Sequence, residues 1–113
     1  MQRDIASEHL PRLIARCGAD ALNRRQIAKR LQALLPTRYL EIKLDHRRRG
    51  LAPAAADRQA LIDQRYTDFV QELSDMTFAA HQARIEYETH AMLYKARQSL
   101  RYLHQLRHPR PPR

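Results

Sequence analysis

The stretch that decides the fold runs from residue 57 to residue 108 and reads DRQALIDQRYTDFVQELSDMTFAAHQARIEYETHAMLYKARQSLRYLHQLRH. It contains neither glycine nor proline, the two residues that most often end a helix. Its apolar and aromatic residues recur at alternating intervals of four and three, which is typical of a helix face that packs on another helix. We call this face the seam, and it consists of Ile62, Tyr66, Phe69, Leu73, Met76, Ala80, Ala83, Tyr87, His90 and Tyr94.

A second apolar line in the same stretch lies on a different helical face and consists of Phe78, Ile85, Met92, Ala96 and Leu103. A short N-terminal region does not offer enough apolar surface to pack against both faces of one helix. The helix must meet its own folded-back part, another copy or another protein. We therefore expect an interface at the seam residues Ile62, Tyr66, Phe69, Leu73, Met76, Ala80, Ala83, Tyr87 and Tyr94.

The first 53 residues are divided by prolines at 11, 36 and 53 and by glycines at 18 and 50. Residues 3–17 predict a short helix that ends at Gly18, and Asn23 begins a second helix that ends before Pro36. Residues 37–49 alternate like a strand but also share a helical face. We favour a helix there, because a single short strand has no partner strand.

The predicted fold is therefore all-α, with residues 1–108 forming a single helical domain. Residues 1–53 supply short basic helices that pack on a long amphipathic helix or helical hairpin at 54–108, with a coiled-coil-like seam. If the long segment is a hairpin, its break is expected near 75–80 or 88–91, because helices of this length are uncommon. Residues 109–113 form a Pro/Arg tail.

The net charge of +9 on 113 residues is distributed unevenly along the chain. Residues 1–40 carry +5, residues 41–91 carry −2 and residues 92–113 carry +6. Two basic ends around a slightly acidic middle favour a partner of opposite charge, either a nucleic acid or an acidic protein. With only two glycines, the chain does not suit the phosphate-binding loops of nucleotide-dependent enzymes.

No apolar run is long enough to span a membrane, and the N-terminus lacks the apolar core of a secretory signal. The single cysteine, Cys17, has no partner for an internal disulfide. These features predict a cytoplasmic protein that does not bind membranes.

Basic residues near both ends are the candidate nucleic-acid contacts, since Lys and Arg neutralise phosphates. The predicted contacts are Arg24, Arg25, Lys29, Arg30, Arg38, Lys43, Arg47, Arg48, Arg49, Arg97, Arg101 and Arg107.

Residues 23–51 also resemble the helix-turn-helix of winged-helix repressors. Ile27, Ala28 and Leu31 match its first helix, Pro36-Thr37 matches the start of the recognition helix, and Arg48-Arg49-Gly50-Leu51 matches the end of that helix. The turn carries Gln32-Ala33 where that family usually has glycine, and no wing hairpin follows. The resemblance implies that Arg38, Tyr39, Lys43 and His46 face the major groove while Arg47–Arg49 contact phosphates.

Catalytic and metal-binding signals are weak. Asp68, Glu72 and Asp75 share a helical face and are expected to be solvated or to pair with basic residues on a neighbour. Cys17 is expected to be a buried small apolar side chain. His104 and His108 have metal-ligand spacing without a carboxylate or thiolate beside them, and Glu86 and His90 predict a hydrogen bond on the seam. We therefore expect no enzyme activity, no cofactor, no metal and no small-molecule substrate.

The sequence leaves two functional hypotheses. In the first, the protein self-associates or docks through its long helix and binds nucleic acid through its Arg-rich ends. In the alternative, it is an adaptor or structural subunit of a larger assembly, of the kind found in secretion systems or phages, without nucleic-acid contact.

Overall fold

The structure, a computed structural model, describes residues 2–108, with side chains described from His9 onward. It contains three helices, α1 (Gln2–Arg48), α2 (Pro53–Ile62) and α3 (Gln64–Arg107), and no strand among the described residues. The all-α prediction is confirmed. The Pro/Arg tail predicted at 109–113 lies outside the described residues.

Two compact units make up the described chain. The first combines the residues up to Ala21 with those from Gln82 onward, and the second is Leu22–His81. In the first unit α1 and α3 run antiparallel, because Leu10 and Tyr94 border one cavity while Gly18 lies against Tyr87.

The predicted set of short N-terminal helices is wrong, because α1 is one continuous helix of 47 residues. It runs through Pro11, Gly18 and Pro36, and the expected helix start at Asn23 lies inside it. Pro36 and Gln32 are both exposed, so water can hydrate the Gln32 carbonyl that the proline leaves without a helical N–H partner. The cost of an interior proline is lower on such a solvated face.

Gly18 serves helix packing instead of ending a helix. A Cβ atom at this position would lie 3.1 Å from Cε2 of Tyr87, closer than ordinary van der Waals contact. The missing side chain thus lets the Tyr87 ring approach the backbone of α1. A glycine inside a helical pattern often has this kind of packing reason.

The predicted helix end at Gly50 is confirmed by a specific hydrogen-bond pattern. The Leu51 N–H donates to the His46 carbonyl at 3.3 Å, and the Gly50 N–H donates to the Arg47 carbonyl at 3.0 Å. These two bonds form a Schellman motif, which needs a left-handed residue at the position that Gly50 occupies with φ of 98°. Glycine adopts this φ without steric cost.

The long segment breaks at Asp63, not near 75–80 or 88–91 as expected for a hairpin. Asp63 has an extended backbone (φ −65°, ψ 135°), and its Oδ1 accepts the Arg65 backbone N–H at 2.9 Å. This is the geometry of an N-cap residue, which satisfies a donor in the first turn of α3. The short α2, which begins at Pro53, buries Ala56 and Ala60 one turn apart.

Both long helices have their more buried residues at alternating intervals of four and three. On α3 these are the seam positions from Tyr66 to Tyr94, apart from Tyr87, whose ring covers Gly18 and is partly exposed. On α1 they are Leu10, Ile14, Cys17, Ala21, Arg24, Ala28, Leu31, Leu35, Arg38, Ile42 and Asp45. The described core is small, and its fully buried members are mostly alanines, with Ile42 the largest at 1% exposure.

Candidate functional site

A polar cluster joins α1 to α2 and α3 within the second unit. The Tyr39 hydroxyl donates to Asp57 Oδ1 at 2.7 Å, and Lys43 Nζ lies 2.9 Å from the same oxygen. The hydrogen bond to Asp57 raises the pKa of Tyr39, while Tyr39 and Lys43 lower the pKa of Asp57. The Tyr39 ring also contacts the edge of Tyr66, with ring centroids 5.6 Å apart.

A second polar group surrounds the start of α3. Asp63 accepts hydrogen bonds from both ends of the Arg65 guanidinium, at 3.0 and 3.1 Å, and lies 2.8 Å from His46 Nε2. Arg65 and its backbone N–H hold the pKa of the Asp63 carboxyl well below its usual range. Arg65 also donates to Asp45 at 3.0 Å and lowers the pKa of that carboxyl. These contacts fix the corner between α1, α2 and α3.

Four of the cations that the sequence assigned to nucleic-acid binding already have contacts within the chain. Lys43 is bound to Asp57, Arg49 lies 3.5 Å from Asp45, and Arg38 lies 3.3 Å from Glu41. Arg24 is half-buried at a seam-facing position of α1 and has interactions of its own. These four cations are therefore the less available members of the predicted set.

Five predicted contacts remain exposed on the part of α1 that belongs to the second unit, and none of them forms an ion pair within the described side chains. They are Arg25, Lys29, Arg30, Arg47 and Arg48. At 100° per residue, Arg25, Lys29 and Arg47 point within about 40° of one another, and Arg30 and Arg48 point together about 100° farther around the helix. We call these five residues the basic face.

The remaining three predicted contacts lie on α3 in the first unit. Arg97 and Arg101 border a cavity of about 70 Å³ together with Leu10, Tyr94 and Gln98. Arg107 lies in the last turn of α3, where a cation also interacts favourably with the helix dipole.

The helix-turn-helix interpretation of residues 23–51 is wrong. That motif needs two helices separated by a turn, whereas Gln32, Ala33 and Pro36 lie inside the continuous α1. The groove-facing roles implied for Tyr39 and His46 also fail, because these side chains bind Asp57 and Asp63 of the same chain.

The seam residues pack mostly on other residues of the same chain. Ala83 is buried, Tyr66 contacts Tyr39 and Tyr87 covers Gly18. The other residues that the sequence assigned to an interface on α3, Phe69, Leu73, Met76, Ala80 and Tyr94, are half-buried. Ile62 differs, since it ends α2 and is exposed.

The second apolar line is largely exposed. Ile85 is 44%, Met92 71% and Leu103 53% accessible, and Phe78 is exposed as well. Within the first unit, α3 also exposes Leu93, Leu100, Tyr102 and Leu106. We call Ile85, Met92 and Leu103 the outer stripe.

A group of potential metal ligands that sequence reasoning missed lies in the first unit. The ligand atoms of Cys17, Glu86 and His90 all lie within 4.8 Å of one another. The predicted hydrogen bond between Glu86 and His90 is wrong, because their nearest atoms are 3.9 Å apart. Glu86 and His90 are one helical turn apart in the sequence, but the approach of Cys17 from α1 carried no sequence signal.

The other candidates for chemistry remain simple surface features. Asp68 and Asp75 accept hydrogen bonds from Gln64 and Gln71, one turn earlier on α3. The rings of His104 and His108 lie 4.7 Å apart at the end of α3.

No protein-family model, no curated protein and no solved structure matches the chain. No helix among residues 2–108 is long and apolar enough to cross a membrane.

Proposed function

We propose that this protein is a non-enzymatic helical assembly protein that self-associates through the outer stripe of α3. The observation that carries the proposal is the exposure of Ile85, Met92 and Leu103. Separations of 7 and 11 residues return to nearly the same helical direction, so the three side chains form one continuous line. Exposed apolar side chains that are aligned in this way favour an interaction surface over scattered surface residues.

The partner that fits best is α3 of a second copy. Residues 68–75 of α3 carry Asp68, Glu72 and Asp75, whereas residues 89–107 carry four cations and no acid. If two α3 helices cross antiparallel at Ile85, Asp75 of one copy lies level with Lys95 of the other. Each acidic half then faces a basic half, and one two-fold axis relates the two contacts.

The energy of this contact predicts reversible association. Fully burying an Ile, Leu or Met side chain contributes about 1.5–3 kcal/mol, and the outer-stripe residues are about half exposed beforehand. Six such side chains in a symmetric dimer then contribute on the order of 5–10 kcal/mol. Because association itself costs about 4 kcal/mol or more, at most about 6 kcal/mol remains, and we expect dissociation constants of about 40 μM or weaker.

Light scattering during size-exclusion chromatography tests the proposal over a concentration series. We expect the double variant Ile85→Ser/Met92→Ser to be monomeric at concentrations where the wild type is dimeric. Leu44→Ser is the matched control, since it removes an equally large exposed side chain from α1. Dimers that persist in the double variant, or that disappear in the control alone, would show that the outer stripe is not the interface.

A second candidate function, nucleic-acid binding, is favoured by the basic face of α1. These five cations have no carboxylate within ion-pair distance among the described side chains, so they are available to phosphates. In this candidate function the partner is a nucleic acid instead of a second copy of the chain.

Salt-dependent binding to duplex DNA and to single-stranded RNA tests this candidate. In a plot of log affinity against log salt, Arg25→Gln/Lys29→Gln/Arg47→Gln should reduce the slope on duplex DNA by about 0.9 for each phosphate that the variant no longer neutralises. Arg38→Gln is the control, because Arg38 already pairs with Glu41 and should leave the slope unchanged. If the wild type fails to bind at low salt, the basic face has no such role.

A further inference from the structure

We propose that Cys17, Glu86 and His90 form a three-ligand site for a divalent transition metal, with Zn²⁺ as the best fit. Their ligand atoms lie within 4.8 Å of one another. Zinc bonds of about 2.0–2.3 Å place two tetrahedral ligand atoms roughly 3.3–3.8 Å apart, so small side-chain rotations bring all three onto one ion.

The helix packing explains why these groups meet. Glu86 and His90 are four residues apart and therefore share one face of α3. On α1, Gly18 lacks a side chain and lets the ring of Tyr87 come close to the backbone, beside the buried Ala83. This close approach brings the Cys17 thiol from α1 to the Glu86–His90 face.

The ligand chemistry favours zinc over calcium or magnesium. A thiolate and an imidazole are ligands for borderline-soft metals, whereas calcium and magnesium prefer several oxygen ligands. The separation of 3.9 Å between His90 Nε2 and Glu86 Oε1 is too long for a hydrogen bond, so the imidazole is not committed to that carboxylate. Both atoms remain available to an ion between them.

A space lies beside two of the three proposed ligands. Cys17 and Glu86 border a space of about 200 Å³ together with Leu13, Arg16, Asp20 and Ala83. A space of this size holds water, so a water molecule can serve as the fourth ligand. Metal binding releases one proton from the Cys17 thiol to solvent and involves no electron transfer, and affinity therefore falls as the pH is lowered.

Cobalt(II) titration of the full chain tests the site, because a Co²⁺–thiolate bond gives a near-ultraviolet charge-transfer band that imidazole and carboxylate ligands do not give. We expect a band that saturates at one Co²⁺ per chain and that Zn²⁺ abolishes. The His104→Ala/His108→Ala variant is the control for the paired histidines at the end of α3, and it should keep the band.

Three variants assign the ligands. Cys17→Ser should abolish the charge-transfer band, and His90→Ala should weaken Co²⁺ affinity more than about tenfold. Glu86→Gln changes an exposed side chain, so it should fold normally and still weaken affinity more than about tenfold. The proposal is overturned if the wild type shows no charge-transfer band, or if Glu86→Gln binds Co²⁺ as tightly as the wild type.

Discussion

Substituting Ile42 gives the sharpest test of how α1 packs, because its solvent exposure differs strongly from that of Leu40 and Leu44. Ile42 is 1% exposed, whereas Leu40 and Leu44 are each 53% exposed. In a strand the three side chains would share one face, but in a helix Ile42 points about 200° away from both. Truncating each residue in turn therefore distinguishes a helix from a strand at residues 40–44.

The expected cost for Ile42→Ala follows from its burial. The substitution removes three carbons, which corresponds to about 2.4 kcal/mol of transfer free energy at about 0.8 kcal/mol per methylene-sized group. The cavity left behind raises the total to about 2–5 kcal/mol. Leu40→Ala and Leu44→Ala should each cost only about 1 kcal/mol, because half of each side chain is already in water.

Urea denaturation followed by circular dichroism measures these differences. We expect Ile42→Ala to lower the denaturation midpoint strongly without changing the slope, and the two leucine variants to change the midpoint little. Equal losses of stability for all three variants would mean that they share a buried face, and the helical packing described for this part of α1 would then be wrong.

Three further substitutions test other parts of the structure. Because the folded-state pKa of Asp63 is lowered, its stabilising effect is present above the unfolded value of 3.8 and is lost as the pH falls below it. The gap in unfolding free energy between wild type and Asp63→Asn, measured by urea denaturation over a pH series, should therefore be largest near neutral pH and narrow in acid. Gly50→Ala should cost about 1–2 kcal/mol in chemical denaturation through its positive φ alone, since nothing lies within 4 Å of the added carbon. Ala83→Leu should overpack the seam and cost about 1–3 kcal/mol in thermal melts, whereas Gln82→Leu on the exposed neighbouring position should leave the melting temperature nearly unchanged.

The heptad spacing of α3 could be predicted from the sequence because its seam residues are apolar or aromatic at nearly every position. The matching face of α1 was missed, since polar Arg24, Arg38 and Asp45 occupy seam-facing positions there. Such residues reach solvent through their long stems or bind other polar side chains, so hydropathy alone does not reveal them.

The helix boundaries show why local signals failed in some places. Gly18 and Gly50 have the same intrinsic freedom of backbone conformation. Gly50 nevertheless ends α1, while Gly18 makes room for the ring of Tyr87. Asp63 sits within an uninterrupted helical pattern, and its capping role depends on Arg65 and His46, of which His46 lies far away in sequence. These outcomes depend on tertiary contacts, which override local propensity.

The candidate site depends on such contacts even more. The sequence identified the cations but could not tell that Lys43 binds Asp57 while Lys29 on the same helix stays without an ion pair among the described side chains. Cys17 was expected to be a buried apolar side chain, and only the packing of α1 on α3 brings it to Glu86 and His90.

Sedimentation equilibrium of the wild-type chain measures self-association through α3 without any label or ligand. The mass should rise from the 13.3 kDa of one chain towards twice that value between tens of micromolar and millimolar concentrations. Lys95→Glu and Asp75→Lys should each weaken association, and combining both changes should restore it, because the two residues lie level in the antiparallel pair. A mass of one chain at all concentrations up to the millimolar range would contradict self-association through this helix.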